Sequence, residues 1–434
     1  MFRYITLIIA IICCQTAFSK SFITSERYVD GGECYPGAEY KYNIYIPDGY
    51  TGENEIGLYL GFDGILCNAP NVFDKLIAEG AMPPVIGVFV NPGIVKNKNG
   101  TVIRYNRSNE YDSTDNRLTL WVENILLKDV QKYKLPNGNS LKISSNPDDH
   151  AVFGASSGGI AAFTLAWHRP DLFRRVFSAA GSFVSMRGGH SLHALIRKTE
   201  PKPLKIYIQD GTKDAWNPLF GHWYEGNKLL VSALEFAGYD LQCDWTETGH
   251  SIKRANEIFC DVMRWLWKDY GTPIKPGQTK NDFLTSLIIP GEDWIQGNYT
   301  LEQGSKSATY PDGTIEAFAK DGDNMIWQAI LDESGKRKYE QRFYALHSYD
   351  SCPTKVYDLK YDSNGNLYAA TNWGIQICDQ NGRVRGIIST PIGTIAMSIK
   401  ISDGKITIQT ENGTFSRKMN IQTPKGSPKS QGQG

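Results

Sequence analysis

The stretch Ala151-Val152-Phe153-Gly154-Ala155-Ser156-Ser157-Gly158-Gly159 decides how this chain folds. It starts as an apolar strand, and residues 159–168 after it have the composition of a helix. The residues between them match G-x-S-x-G, a tight strand-to-helix turn that only small neighbours permit. Such a turn raises the hydroxyl of Ser156 above the sheet as a nucleophile and aims the N–H of Ser157 at a developing oxyanion. A Gly-rich turn can also serve packing or bind phosphate, but no Lys follows as a phosphate loop requires.

Strand-like and helix-like segments alternate around this turn, between residues 20 and about 270. Residues 85–90 are a continuous apolar run, which is typical of a strand buried on both faces. Residues 227–237 and 258–267 are predicted to be helices, the first of them amphipathic. Further strands are predicted at residues 42–46, 57–60, 151–153, 176–180, 204–208 and 243–245. The pattern predicts an α/β fold with a mostly parallel sheet covered on both faces.

A Ser nucleophile needs a base, and the base needs a carboxylate that orients it. When the Ser lies on a turn of this type, the chain order is Ser, then the acid, then His. His250 precedes the last helix of this region and is the predicted base, while His190 and His222 are rivals that could line a pocket instead. Asp214, after a strand and a short turn, is the predicted acid. Asp210 is the alternative acid, or else it caps that turn.

Further candidates for the site lie in other loops. The backbone N–H groups of Phe62 and Asp63, after the strand at 57–60, are candidates for the second oxyanion donor. Trp216 and Trp223 come just after the predicted acid and are candidates to stack on a sugar ring or an aromatic acid, with plain packing as the alternative. Arg187 is a candidate to meet a substrate carboxylate.

The character of the sequence changes near residue 271. Residues 271–289 are predicted to be a linker because Gly and Pro cluster at their start. In residues 290–422, short strands alternate with turn pairs such as Asn364-Gly365. Strands begin at residues 324, 366 and 405, a period of about 40 residues that suits the blades of a β-propeller. Since only about three blades fit, we expect a small all-β domain resembling a partial propeller, followed by a disordered tail at 423–434.

The N-terminus has the pattern of a signal peptide. Arg3 is followed by an apolar stretch at residues 4–14, and Ala17-Phe18-Ser19 offers small residues for cleavage. Lipidation at Cys13 is less favoured because Ile12 stands where a small residue is wanted. We therefore expect residues 1–19 to be removed and the chain to be exported, to the periplasm or outside the cell.

Six cysteines remain beyond this signal. Export permits disulfides, and the pairs expected are Cys34–Cys67, Cys243–Cys260 and Cys352–Cys378, with buried free thiols as an equal alternative. None of the spacings resembles a zinc site.

Charge and hydropathy exclude some classes of protein. The chain has 434 residues with 46 basic and 46 acidic side chains, so it lacks the basic excess of nucleic-acid-binding proteins. After the signal, no apolar run is long enough to span a membrane.

These motifs together resemble the esterase D-like family of α/β-hydrolases, which includes feruloyl, acetyl-xylan and siderophore esterases. The matching stretches are residues 45–50, 106–111, 154–159, 210–214 and 249–250, in the expected order. The resemblance implies an α/β-hydrolase domain at 20–270 with Ser156, Asp214 and His250 as its triad. It also places Arg107 and Glu110 in a loop near the site, where we expect a structural salt bridge rather than substrate contact.

The C-terminal part resembles a piece of a gluconolactonase-type propeller, in residues 366–371 and 374–379 and in the closing Arg417-Lys418. It is too short to enclose the metal of such a propeller, so we expect no catalytic metal and a binding or structural role.

We therefore predict a secreted serine esterase without cofactor that removes feruloyl or acetyl groups from plant-type polysaccharides. The alternatives are a siderophore trilactone esterase, a non-catalytic carbohydrate-binding protein with a vestigial hydrolase domain, and a metal-dependent lactonase. The acylated carbohydrate is the expected partner.

Overall fold

The computed structural model describes residues 20–350, 352–391 and 393–423. The predicted signal peptide and residues 424–434 of the predicted tail lie outside the described residues. No helix in the described ranges is long and apolar enough to cross a membrane.

A mixed, mostly parallel sheet forms the centre of the N-terminal part. Its strands are β1 (Phe22–Ile23), β2 (Arg27–Asp30), β3 (Glu39–Ile46), β4 (Gly57–Phe62), β5 (Val85–Val90), β6 (Ile94–Lys96), β7 (Val102–Tyr105), β8 (His150–Ala155), β9 (Arg175–Ala179), β10 (Lys205–Gly211) and, after a separate small hairpin of β11 (Trp216–Asn217) and β12 (Gly221–His222), β13 (Asp240–Thr246). The order is β13-β10-β9-β8-β4-β5-β3-β6-β7, with β1 and β2 also paired to β3. The six strands from β13 to β5 are parallel to their neighbours, as predicted, and β3 is antiparallel to β5.

Helices cover both faces of this sheet because successive strand residues point to opposite sides. They are α1 (Ala69–Ala78), α2 (Arg107–Tyr111), α3 (Arg117–Trp121), α4 (Leu127–Val130), α5 (Ser157–His168), α6 (Leu192–Lys198), α7 (Trp223–Phe236) and α8 (Lys253–Trp267), with a π-helical turn at Val122–Leu126 and 3₁₀ turns at Pro147–Asp149 and Gly189–Ser191. A further helix, α9 (Asp282–Leu287), packs against the C-terminal part instead. In β8, Val152 joins the core under α5 and α7, whereas Phe153 joins the core under α1 and α8. This alternation places the end of β8 between two packed layers.

Three four-stranded antiparallel sheets form the C-terminal part of the described chain. Their strands are β14 (Ile295–Gly297), β15 (Ser307–Thr309), β16 (Ile315–Ala319), β17 (Met325–Leu331), β18 (Arg337–Ala345), β19 (Val356–Tyr361), β20 (Leu367–Thr371), β21 (Gly374–Cys378), β22 (Val384–Ile388), β23 (Ser398–Ser402), β24 (Lys405–Thr410) and β25 (Gly413–Lys418). The first strand, β14, pairs with the last, β25, so one sheet contains both ends of this part. The antiparallel sheets are as predicted, and the propeller interpretation stays a prediction.

The segment predicted as a linker contains helix α9. Asn281 caps this helix by accepting a hydrogen bond from the N–H of Leu284, and its side-chain amide also donates to the backbone of Arg197 and Arg385. Leu284 is fully buried. Composition suggested a linker because the Pro and Gly residues at its start mask the short capped helix that follows.

The predicted disulfides are absent: the six cysteines in the described residues are all free. Cys34 packs at the edge of the core on one face of the central sheet, while Cys67 belongs to the core on the other face. Cys243 is exposed on β13, whereas Cys260 packs against the core under α8. Sequence spacing could not reveal these separations because they depend on which face of the sheet each residue joins.

Candidate active site

A sharp turn between β8 and α5 carries Ser156. Its backbone has φ 59° and ψ −121°, a conformation that residues other than Gly rarely adopt. The turn has no space for larger neighbours, since a Cβ added to Gly154 would lie 2.0 Å from the carbonyl oxygen of Gly158. The strained turn lifts the hydroxyl of Ser156 out of the sheet, as the motif predicts.

Three side chains that are distant in sequence meet at this turn. The Ser156 hydroxyl lies 2.8 Å from Nε2 of His250. On the other side of the ring, Nδ1 lies 2.8 and 3.0 Å from the two carboxylate oxygens of Asp214. The Asp214 side chain is fully buried, while that of His250 is 35% exposed. The three predicted triad residues are thus joined by hydrogen bonds.

The environment of Asp214 favours its ionised form. Burial alone would raise the pKa of this carboxyl, but hydrogen bonds from His250 and Asp210 outweigh burial. The backbone N–H of Ala215 donates a further hydrogen bond. The pKa of Asp214 is therefore lowered, and the carboxylate accepts from Nδ1, which leaves Nε2 free to accept the proton of the Ser156 hydroxyl.

Asp210, the alternative acid, lies behind Asp214 rather than against the imidazole. Its carboxyl accepts hydrogen bonds from the N–H of Gly211 at 2.7 Å and from Nδ2 of Asn227 at 2.9 Å. Both Asp210 and Asn227 are fully buried. The structure therefore gives Asp210 the predicted turn contact and places its carboxyl within hydrogen-bond reach of Asp214.

The loop after β4 lies directly against the first turn of α5. A Cβ on Gly158 would come 2.9 Å from a carboxylate oxygen of Asp63, and Asp63 has a φ of 64°. The Asp63 backbone, one of the predicted oxyanion donors, forms a hydrogen bond with the hydroxyl of Tyr111. It is therefore already engaged within the protein. Phe62 is the last, buried residue of β4. The N–H of Ser157 opens helix α5, whose N-terminal end favours negative charge.

Arg107 and Glu110 both form structural contacts, but with other partners than each other. Arg107 binds Asp63 through two nitrogens, at 2.7 and 2.8 Å. Glu110 is buried and accepts hydrogen bonds from Tyr40 and from the N–H of Gly93. An ion pair is therefore present at Arg107, with Asp63 rather than Glu110, and it anchors the loop next to the nucleophile.

Trp223 is the predicted substrate residue that contacts the triad. Its ring lies 5.8 Å from the imidazole of His250 in an edge-to-face arrangement. Its indole N–H donates to the hydroxyl of Ser182 at 3.1 Å, and that hydroxyl lies 3.5 Å from the hydroxyl of Ser156. Ser182 was not among the predicted residues. It follows β9, so the rule that sites collect at the carboxyl ends of parallel strands could have suggested it.

A cavity of about 190 Å³ is lined by sequence neighbours of these contacting residues. Phe183, which follows Ser182, and His222, which precedes Trp223, both line it. Its other lining residues are Val184, Ser185, Gly189, His190, His193, Phe220, Gly221, Glu225, Gly226, Leu229 and Leu230. The two rivals for the catalytic base thus line this cavity. The Nδ1 atom of His222 is buried and has no hydrogen-bond partner in the described chain.

The other two predicted substrate residues have different surroundings. Trp216 is 67% exposed on the β11–β12 hairpin, which leads into Trp223. Arg187 binds Asp350 and Asn109. Because its guanidinium group is occupied by these partners, the structure offers no support for a substrate contact at Arg187.

No group of three or more His, Cys, Asp or Glu side chains in the described ranges is placed to hold a metal ion.

A serine at a strand-to-helix turn of a mixed, mostly parallel sheet, hydrogen-bonded to a His–Asp pair, defines a hydrolase-like α/β fold. The chain belongs to the family described as "Putative esterase", whose profile matches residues 35–254, just over half of the chain. It is by this membership a carboxylic ester hydrolase.

Solved structures with a similar fold include three esterases. A ferulic acid esterase is 14% identical, with a TM-score of 0.42, and the match covers 58% of this chain and 99% of that one. The enterobactin esterase FES from Shigella flexneri is 19% identical, with a TM-score of 0.43, and the match covers 56% of this chain and 60% of that one. The feruloyl esterase module from Clostridium thermocellum, complexed with sinapinate, is 14% identical with a TM-score of 0.37, and the match covers 58% and 90%. No curated protein matches the chain by sequence.

Proposed function

We propose that this chain is a serine esterase that works through an acyl-enzyme on Ser156. The observation that carries the proposal is the continuous hydrogen-bonded path from the Ser156 hydroxyl through His250 to the buried carboxylate of Asp214. A hydroxyl becomes a nucleophile when a base lies within hydrogen-bond reach and a third group orients that base. Both conditions are met here.

The reaction has two halves. The Ser156 oxygen attacks the ester carbonyl while Nε2 of His250 takes the hydroxyl proton, and Asp214 stabilises the imidazolium. His250 then gives that proton to the departing alcohol, which leaves the acyl group on Ser156. A water molecule, deprotonated by His250, attacks the acyl-enzyme, and His250 returns that proton to the Ser156 oxygen as the acid leaves. We assign the oxyanion to the N–H of Ser157 at the start of α5, with the remaining candidate, the N–H of Phe62, as the second donor.

We propose a phenolic acyl group, such as feruloyl, rather than acetyl as the acid half of the substrate. The cavity beside Trp223 has apolar walls that include Phe183 and Leu230, and its volume of about 190 Å³ exceeds what an acetyl group fills. A cavity of about 150 Å³ already holds a benzene ring. The imidazoles of His193 and His222 at its wall can hydrogen-bond a ring hydroxyl.

For the alcohol half we propose a carbohydrate. Support comes from Trp216, which presents a largely exposed indole ring on the hairpin that leads to Trp223. An exposed aromatic face beside a cleft suits the apolar face of a sugar ring.

The deciding experiment compares wild type with Ser156→Ala and with Ser191→Ala, a matched control at a residue whose hydroxyl donates to the backbone carbonyl of Gly188. We expect Ser156→Ala to lose turnover of p-nitrophenyl acetate and labelling by a fluorophosphonate, and Ser191→Ala to keep both. Unchanged turnover by Ser156→Ala would end the proposal. Absence of fluorophosphonate labelling in folded wild type would favour the non-catalytic alternative. A panel of feruloylated oligosaccharides, acetylated oligosaccharides and a trilactone siderophore then ranks the substrates by kcat/KM.

We further propose that the chain is exported and that its three C-terminal sheets, arranged as a partial propeller, have a structural or binding role. Export is supported by the sequence pattern of residues 1–19 and is tested by cell fractionation with and without these residues. A structural role is supported by contacts that reach the hydrolase part, including Trp167 to the Tyr349 hydroxyl at 2.9 Å and Ser113 to Asp350 at 2.9 Å.

A further inference from the structure

Asp210 is a buried carboxyl that the mechanism above does not use. It lies in β10 and has no solvent exposure. One of its oxygens accepts from the N–H of Gly211, and the other accepts from Nδ2 of Asn227. The same amide nitrogen lies 2.8 Å from the carbonyl of Gly181 and 3.1 Å from that of Trp223, which fixes the Asn227 amide as the donor.

The strongest charged neighbour of Asp210 does not compensate a negative charge on its carboxyl. The charged group that acts most strongly on it is Asp214, which carries the same charge. Helix α7 offers it the neutral amide of Asn227, and that same amide also donates to the carbonyl of Gly181 in the segment after β9. His250 is engaged on the far side of Asp214. An isolated charge at such a depth costs several kcal/mol, so a neutral acid is favoured.

Two adjacent buried carboxyls share a hydrogen bond only if one of them holds a proton. The carboxyls of Asp210 and Asp214 lie within hydrogen-bond reach of each other. Asp214 also accepts hydrogen bonds from Nδ1 of His250 and from the N–H of Ala215, and both favour its charged form. The proton therefore belongs on Asp210.

We propose that Asp210 is a positioning residue that, as a neutral carboxylic acid, donates a hydrogen bond to Asp214 and so holds that carboxylate against His250. The inference rests on the proposed function, because it takes Asp214 and His250 as the orienting pair. It explains how both oxygens of Asp214 stay within 3.0 Å of Nδ1. It also keeps the pair at a single negative charge. In agreement, burial and the neighbouring Asp214 raise the pKa of Asp210 far above that of an ordinary carboxyl.

Asp210→Asn and Asp210→Ala separate this role from mere structure. The amide of Asp210→Asn can still donate to Asp214 but cannot ionise, so we expect kcat within about threefold of wild type, whereas Asp210→Ala loses about tenfold or more because the donor is gone. As the pH rises through the raised pKa, Asp210 ionises beside Asp214 and wild-type kcat falls. Asp210→Asn lacks that alkaline limb. Ester hydrolysis in enzyme-free buffer is subtracted at each pH.

A second readout does not require activity. In protein labelled with ¹³C at Asp carboxyls, we expect the resonance that Asp210→Asn removes to have the shift of a protonated acid at pH 7. An ionised shift would overturn the proposal, even if Asp210→Ala fails to fold. A folded Asp210→Asn as inactive as Ser156→Ala, or with the wild-type alkaline limb, would also overturn it. Activity that survives Ser156→Ala would instead contradict the proposed function, so the two failures are distinguishable.

Discussion

Arg107 donates hydrogen bonds from two nitrogens to the carboxylate of Asp63, at 2.7 and 2.8 Å. It also donates to the backbone carbonyl of Ala155 at 3.3 Å. One guanidinium therefore joins the loop after β4 to the residue just before the nucleophile. Because Asp63 has a φ of 64°, this loop is held in a conformation that it would leave if it were released.

Replacing this anchor should weaken oxyanion binding. Lys cannot reproduce the two-pronged contact, so we expect Arg107→Lys to lower kcat on p-nitrophenyl acetate about ten- to hundredfold with a smaller change in KM. The matched control is Arg337→Lys, which alters a two-pronged pair with Glu316 in a C-terminal sheet. Equal activity of the two variants would show that the Arg107–Asp63 pair does not position the site.

Asp210 should also affect the pH dependence of stability. Because its pKa in the folded chain is raised, its favourable contribution is complete below the ordinary Asp pKa of about 3.9 and is lost as the pH rises toward the folded value. Asp210→Asn removes this loss, so its Tm should rise relative to wild type between pH 5 and 8. Asp261→Asn, at an exposed position on α8, is the control and should show a constant difference. A Tm difference for Asp210→Asn that does not vary with pH would contradict the raised pKa.

The cavity beside Trp223 should decide which acyl group is accepted. We expect His222→Phe and His193→Phe to raise KM about tenfold for a methyl ester of a hydroxycinnamic acid, because a hydrogen bond to the ring hydroxyl is lost. Turnover of p-nitrophenyl acetate, whose acetyl group carries no ring hydroxyl, should change little. An equal loss on both substrates would mean that these imidazoles act on the triad or the fold rather than on the acyl group.

The Glu200–Arg417 pair should hold the C-terminal sheets to the hydrolase part. Arg417 binds both carboxylate oxygens, at 2.8 and 2.6 Å, and its side chain is only 6% exposed. Glu200→Ala leaves a buried charge without a partner, which costs about 3–5 kcal/mol and should lower the Tm of the full chain by several degrees. Glu247→Ala, which removes the partner of Lys213 in an exposed pair, is the control and should leave the Tm unchanged. Equal melting of both variants would contradict this role of the pair.

Local patterns were sufficient for much of the fold. The small residues around Ser156 permit only a tight turn, and the apolar run of β5 permits only a buried strand, because each depends on neighbours within a few residues. The short helix α9 was missed because its capping residue, Asn281, is fixed by backbone groups from two distant segments. Disulfide pairing failed for a similar reason, since the two faces of a sheet cannot be assigned from spacing alone.

The sequence by itself determined the α/β class, the nucleophile turn and the order in which Ser156, Asp214 and His250 follow each other, because periodicity, steric limits on a turn and chain order are local or linear properties. Only the tertiary structure decided that Asp214 faces the imidazole with Asp210 behind it. It also decided that the guanidinium of Arg187 forms an ion pair with Asp350. These outcomes depend on where packed strands and distant segments direct each side chain, and residue type does not specify that direction.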